Sequence, residues 1–250
     1  MTEILVGFLI AAGVGLTGVG AGSLLAPILM LFFKVPPPEA VGTSLAFSAV
    51  TKLASAPVYV FRKQIHYATL VRLSCGGIPG VLVGYYAMGL LDAKHHRGVL
   101  FLTIGVLVAT MAAYNLVRTL RRSAHHRSLV DRSGWLLPIG LFIGGEVGFS
   151  SAGAGALGSI ALLNLTALPP ASVVGTDVVF GLVCSVVGGG FHMSAGHFES
   201  AILTHLLIGG VVGALIGANL LSVLPSRPLR VALSAWLTCM GVQLCWQAFS

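Results

Sequence analysis

Val14-Gly-Leu-Thr-Gly-Val-Gly-Ala-Gly22, an apolar run, then Pro36-Pro-Pro-Glu-Ala-Val-Gly-Thr-Ser44: this stretch decides the fold, because it occurs twice. Moving on 133 residues without a gap gives Val147-Gly-Phe-Ser-Ser-Ala-Gly-Ala-Gly155, a second apolar run, and Pro169-Pro-Ala-Ser-Val-Val-Gly-Thr-Asp177. Twelve of the 31 paired positions are identical, most of them Gly, Pro or Thr. Such residues set backbone geometry more than they fill a core. A glycine cluster that interrupts an apolar run at matching places in two halves points to the binding site of a transporter.

Composition makes lipid the solvent. The chain is 56% hydrophobic and 8% charged, whereas soluble domains carry about 25% charged residues. Apolar segments fall at about residues 4–33, 38–61, 68–91 and 97–117, and again at 135–165, 171–192, 201–224 and 229–249. Most suit one crossing of a hydrocarbon layer roughly 30 Å thick. Ten-residue alternation, the mark of a membrane β-barrel, is absent. The expected fold is an all-α polytopic membrane protein of about seven or eight transmembrane helices. Residues 1–117 form a first repeat, 118–134 a linker and 135–250 a second repeat.

The first and fifth segments are too long. Thirty residues of continuous helix would measure roughly 45 Å, so each is expected to be two half-helices, either a broken crossing or a re-entrant hairpin. Hairpins make the halves inverted; broken crossings make them parallel. The net charge is +7, and Arg118, Arg121, Arg122, Arg127 and Arg132 crowd the linker. Lys and Arg are retained in cytoplasmic loops, so the linker is read as cytoplasmic and not as a nucleic-acid patch. Arg227 and Arg230 join that side only when the repeats are inverted, which favours inversion. Gly76, Gly80 and Gly84 match Gly209, Gly213 and Gly217, and this small-xxx-small spacing lets helix backbones approach closely. Pro79 is expected to kink its helix.

Non-helical backbone survives at membrane depth only when buried in protein or lining a polar cavity. At each break a half-helix begins, so free N–H groups and a positive dipole end suit an anion. Gly20, Gly22, Gly153 and Gly155 would admit a ligand to the main chain, with Ser23, Thr17, Ser150 and Ser151 as hydroxyl donors. Thr43, Ser44, Thr176 and Asp177 lie about one turn into the following helices, where they can face the breaks or, for the threonines, bond back to the preceding turn. Lys52, Glu146 and Asp177 are ionisable groups deep inside apolar segments, costing at least about 2.5–3.5 kcal/mol at the bilayer centre. Lys52 is therefore a counter-charge for an anion or for a carboxylate, and Asp177 or Glu146 a carrier of a coupling proton. A structural ion pair is the alternative. His192 and His197 are expected as interfacial polar tips, and His205 aligns with Arg72.

No phosphate loop, nucleophile elbow or HExxH is present. The four cysteines, Cys75, Cys184, Cys239 and Cys245, lie in apolar segments without a CxxC pair and read as small buried hydrophobes. No enzyme activity, metal or cofactor is therefore expected. The start of the chain lacks the basic region and cleavage site of a signal peptide.

Together, Gly-x-Gly-Ala-Gly22, Ala40-Val-Gly-Thr-Ser-Leu45, Arg62-Lys-Gln-Ile-His66, Gly76-Gly-Ile-Pro-Gly-Val-Leu-Val-Gly84, the second-half copy from Val147 to Asp177 and Gly196-His197 resemble the sulfite exporter TauE/SafE family of membrane transporters. The resemblance covers nearly all of the chain except the central basic loop. It implies a multi-pass carrier of a bacterial cytoplasmic membrane, acting on sulfite or other sulfur-containing organic anions. Ser151 and Ala152 stand where the family varies, so selectivity is not carried across. The expected function is a secondary transporter of a small anion by alternating access. The alternative is a passive channel for a small anion or neutral solute, and a membrane enzyme or its assembly subunit is the weakest reading. Expected partners are the small anionic substrate, the lipid bilayer and possibly a second copy of the chain as a homo-oligomer, with no nucleic acid.

Overall fold

A computed structural model describes residues 2–17, 20–91, 97–121, 133–152, 155, 157–220 and 226–249. Among them are ten α-helices: α1 (Thr2–Thr17), α2 (Ala21–Leu31), α3 (Pro37–Phe61), α4 (Tyr67–Leu90), α5 (Arg97–Arg121), α6 (Leu136–Ser150), α7 (Leu157–Leu165), α8 (Pro170–Ser194), α9 (Ser200–Leu220) and α10 (Ser226–Gln247). Five stretches, Pro37–Phe61, Tyr67–Leu90, Gly98–Leu120, Pro170–Ser194 and Ser200–Gly217, are long and apolar enough to cross a membrane. Each pairs a buried apolar face, with Phe47, Leu73, Ile104, Phe180 and Leu206, with outward-facing apolar side chains such as Leu53, Phe61, Val83, Tyr86, Val106, Val186 and Ile208. The protein is an all-helical polytopic membrane protein.

Both long segments are broken where the glycines stand. α1 stops at Thr17 and α2 begins after Gly20, whose extended backbone starts the new helix without a side-chain cap. α6 stops at Ser150, Ser151 adopts the left-handed conformation with φ of 62°, and α7 begins at Leu157. Residues 122–132 of the linker lie outside the described residues, as does Gly153. α4 continues without interruption through Pro79.

Small residues decide which helices meet. A Cβ on Gly76, Gly80 or Gly84 of α4 would run into the carbonyl of Leu137, Leu141 or Gly145 of α6, in that order, so α4 and α6 lie parallel and in close backbone contact. Gly209 and Gly213 of α9 stand likewise against Ile4 and Phe8 of α1. The small-xxx-small faces thus join each repeat's first helix to the third segment of the other repeat. Removing hydrogen-sized clearance there would separate the backbones, which in lipid are held by close packing and not by water exclusion.

The remaining contacts fix direction. Leu45 meets Gly188 while Ser48 bonds Ser185, so α3 and α8 are antiparallel. Gly98 meets Ala248 and Gly105 meets Gly241, so α5 and α10 are antiparallel. α4 runs with α8, because Gly77 meets Phe180 and Val81 meets Gly188, and α9 runs with α3, because Thr43 meets Glu199 while Thr51 meets Gly210. Hence α1, α3 and α9 point one way and α4, α6 and α8 the other. Since α1 and α3 share a direction, α2 must bring the chain back between them, and α7 does the same between α6 and α8. The two long segments are hairpins in this sense.

Candidate functional site

α2 and α7 bring the two breaks to the middle of the bundle. Gly22 lies so close to Ser151 that a Cβ there would collide with the serine hydroxyl and carbonyl. Beside this contact lies a cavity lined by Ala11, Val14, Gly20, Thr51, Lys52, Ser55, Tyr59, Gly155, Asp177, Val178 and Ala214. Its non-atom space, open solvent included, is about 440 Å³.

The structure brings together four of the sequence-predicted residues: Gly20, Gly155, Lys52 and Asp177. Lys52 is 6% exposed, and its ammonium forms no hydrogen bond or salt bridge with another described residue. Asp177 is 2% exposed; its Oδ2 accepts the Ser159 hydroxyl at 2.5 Å and its Oδ1 has no hydrogen-bond partner. A Cβ on Gly158 would strike Asp177 Oδ1, so the carboxylate lies against the first turn of α7. Gly155 has φ of 108°, a conformation that glycine adopts without steric cost.

The other expected ligand residues serve the scaffold. The Ser23 hydroxyl donates to the Gly20 carbonyl at 2.6 Å, and that of Ser44 to the Ala40 carbonyl at 2.6 Å. Gly22 is consumed by its approach to Ser151. Ser150 donates to the Glu146 carbonyl. Glu146, 5% exposed, does not line the cavity, and both its carboxyl oxygens are buried without a hydrogen-bond partner.

Thr43 and Thr176 neither line the cavity nor bond back along their own helices. Thr43 Oγ1 accepts the backbone N–H of Glu199 at 2.9 Å, and Thr176 Oγ1 accepts that of His66 at 2.9 Å. The preceding glycines pack on the same turns: a Cβ on Gly42 would meet the His197 carbonyl, and one on Gly175 the Gln64 carbonyl. The clamped turns are themselves alike. Gln64 N–H bonds the Tyr59 carbonyl at 3.0 Å and His197 N–H the His192 carbonyl at 2.9 Å, with Lys63 (φ 53°) and Gly196 (φ 76°) left-handed before them. Each Gly-Thr pair therefore grips the inter-helix turn of the other repeat.

Two further expectations change. His192 is no interfacial tip: it is wholly buried, its Nε2 lies 3.2 Å from the Gly148 carbonyl, and its ring meets Tyr85 edge-on at 5.0 Å between centroids. Arg72 bonds Ser133 while its aligned residue His205 pairs with Glu3 at 3.1 Å, so both tie the mutually exchanged helix pairs at their ends. Among the described residues, no three His, Cys, Asp or Glu side chains come together as a metal set.

Thr51, Ser55 and Tyr59 are cavity residues that the sequence reading passed over. Their signal was present: Ser48, Lys52, Ser55 and Tyr59 recur at helical spacing along α3, a polar stripe through an apolar segment.

The hairpins and the charged interior cavity define a helical membrane protein of transporter type. The chain belongs to the sulfite exporter TauE/SafE family, whose model matches residues 3–244. It is 29% identical over 249 residues to the Bacillus subtilis protein named "Probable membrane transporter protein YjnA", covering 96% of this chain and 98% of that one. It is 26% identical to YunE and 27% identical to YdhB, both named probable membrane transporter proteins of the same organism; coverage is 96% and 93% of this chain and 95% of each relative. No solved structure gives a significant match.

Proposed function

We propose that the protein is a secondary transporter of a small anion, namely sulfite, a sulfonate or a related organosulfur compound, in a bacterial cytoplasmic membrane. The observation that carries this reading is Lys52, a buried cation without a hydrogen-bond partner among the described residues, in a cavity that also contains Asp177 and the uncapped start of α2. Burying a charged group without hydrogen bonds is costly, and an anionic ligand that accepts them lowers that cost. Family membership supplies the sulfur; the cavity supplies only the preference for negative charge. The chain itself is read as a carrier and not as an enzyme.

Alternating access has a basis in the helix directions. Matching helices α1 and α6, α3 and α8, α4 and α9, and α5 and α10 run in opposite senses, as in carriers built from inverted repeats around a central site. Exposed Arg62 and Lys63 mark the end of the bundle from which α6 departs, and we assign that end to the cytoplasm. The coupling ion is carried by a carboxylate, Asp177 at the cavity or Glu146 buried on α6. Lys52 binds the anion, and the Gly20 and Gly155 backbones shape its seat.

Proteoliposomes loaded with labelled sulfite or methanesulfonate test the proposal. The expected result is a saturable flux that depends on a proton gradient and falls at least tenfold in Lys52→Met. Flux strictly proportional to concentration and indifferent to the gradient would instead identify a passive channel. If neither compound moves, the assignment of substrate class is wrong.

A further inference from the structure

We infer that Asp177 makes the cavity selective for singly charged anions, by occupying one of its positive poles as a resident carboxylate. The inference rests on the anion-carrier reading and goes beyond it, because it names the charge state accepted and the residue that sets it.

Two half-helices begin beside the cavity, and each start carries a partial positive charge of about half an elementary charge. At α7, of nine residues, the pole is taken: Asp177 lies against Gly158 and receives the Ser159 hydroxyl. At α2, of eleven residues, it is not. The residue matching Asp177 is Ser44, which turns back to Ala40, and Leu25 and Ala26 stand where the second repeat has Gly158 and Ser159. Gly20 opens α2 without a side-chain cap and faces the cavity with Lys52. Lys52, buried in the same cavity and without a hydrogen-bond partner among the described residues, is the independent sign that this pole awaits a ligand.

The charge balance follows. Lys52 contributes one positive charge and deprotonated Asp177 one negative charge, so in that state the empty cavity is neutral apart from the free pole of α2. A monoanion placed between Lys52 and the α2 start meets two favourable partners and one carboxylate. A second negative charge on the ligand doubles the attraction to Lys52 and the repulsion from Asp177 alike, while its desolvation cost grows roughly with the square of the charge and no further cation offsets it. Inside a low-dielectric site that repulsion is poorly screened. Ser159 is a positioning residue, since its hydroxyl holds the carboxylate on α7.

The test uses the full chain in lipid nanodiscs and two tetrahedral probes whose charges do not change near neutral pH, methanesulfonate (one negative charge) and sulfate (two). Isothermal titration should show methanesulfonate binding at least tenfold more tightly than sulfate in the unaltered protein. Asp177→Asn and Asp177→Ser should each shift the ratio at least tenfold towards sulfate, and Ser159→Ala should shift it by a smaller factor in the same direction. Equal affinity for the two probes in the unaltered protein overturns the inference, a measurement that needs no variant to fold. So does an unchanged ratio in both Asp177 variants. The anion-carrier reading fails separately, if Lys52→Met binds both probes as well as the unaltered protein does.

Discussion

The first turn of α7 and the first turn of α2 come from the same repeated stretch, yet they are equipped differently. In the second repeat a buried carboxylate rests on the helix start, held by Ser159. In the first repeat the matching side chain is a serine bonded to its own helix, and the cavity meets bare backbone and Lys52. Lys52 is likewise unmatched: its counterpart is Ser185, which bonds Ser48. The difference teaches that the scaffold is duplicated while the chemistry is not. Glycines, prolines and threonines that set backbone approach occur in both halves, whereas the charged groups are single.

That contrast can be broken most forcefully at the shared scaffold. Gly42→Leu or Gly175→Leu would drive a side chain into the carbonyl of His197 or Gln64. Each should cost about 3 kcal/mol or more, above the usual 1–3 kcal/mol for overpacking, because the obstacle is backbone. The check is recovery of monodisperse protein and its thermal midpoint in detergent. If one tolerates the change and the other does not, the two clamps are not equivalent.

Next in size is the unmatched cation. Lys52→Met should weaken methanesulfonate binding by about 100-fold, the loss of one charge-assisted contact of roughly 2–3 kcal/mol. Lys52→Arg should restore part of it, since charge is kept. Equal loss in both would mean that shape, not charge, is what the cavity reads from this residue.

Smaller again are the threonine contacts. Thr43→Val and Thr176→Val each leave a backbone N–H, of Glu199 or His66, without its acceptor. Each should destabilise by about 1–3 kcal/mol, with Thr→Ser rescuing most of the loss. Near-identical values for the two positions would support equivalence of the clamps. The smallest effects belong to the helix-end contacts: Arg72→Ala and His205→Ala should each cost less than about 1 kcal/mol, as exposed polar pairs do.

Much of this architecture was legible in the chain. The apolar segments, the two breaks and the small faces of α4 and α9 are written in local spacing, and Lys52 and Asp177 stood out because charge is rare in an apolar run. Gly20 and Gly155 were legible as break residues. The partners of Ser23, Thr43, Ser44 and Thr176 were not legible, since a hydroxyl near a break suits a ligand, its own helix or another turn equally well. His192 was misplaced because the end of an apolar segment looks like an interface until a neighbour such as Tyr85 covers it.

By itself, then, the sequence determined that the protein is helical, membrane-embedded and twofold in plan, because period, length and glycine placement act within one segment. Only the tertiary structure decided that each repeat's glycines and threonines serve the other repeat, that Thr51, Ser55 and Tyr59 share a cavity with Lys52, and that Asp177 already occupies α7. The physical reason is one of range. A residue's propensity and polarity act on its own turn of helix, whereas a backbone N–H 110 residues away becomes a partner only when packing brings it within hydrogen-bonding distance.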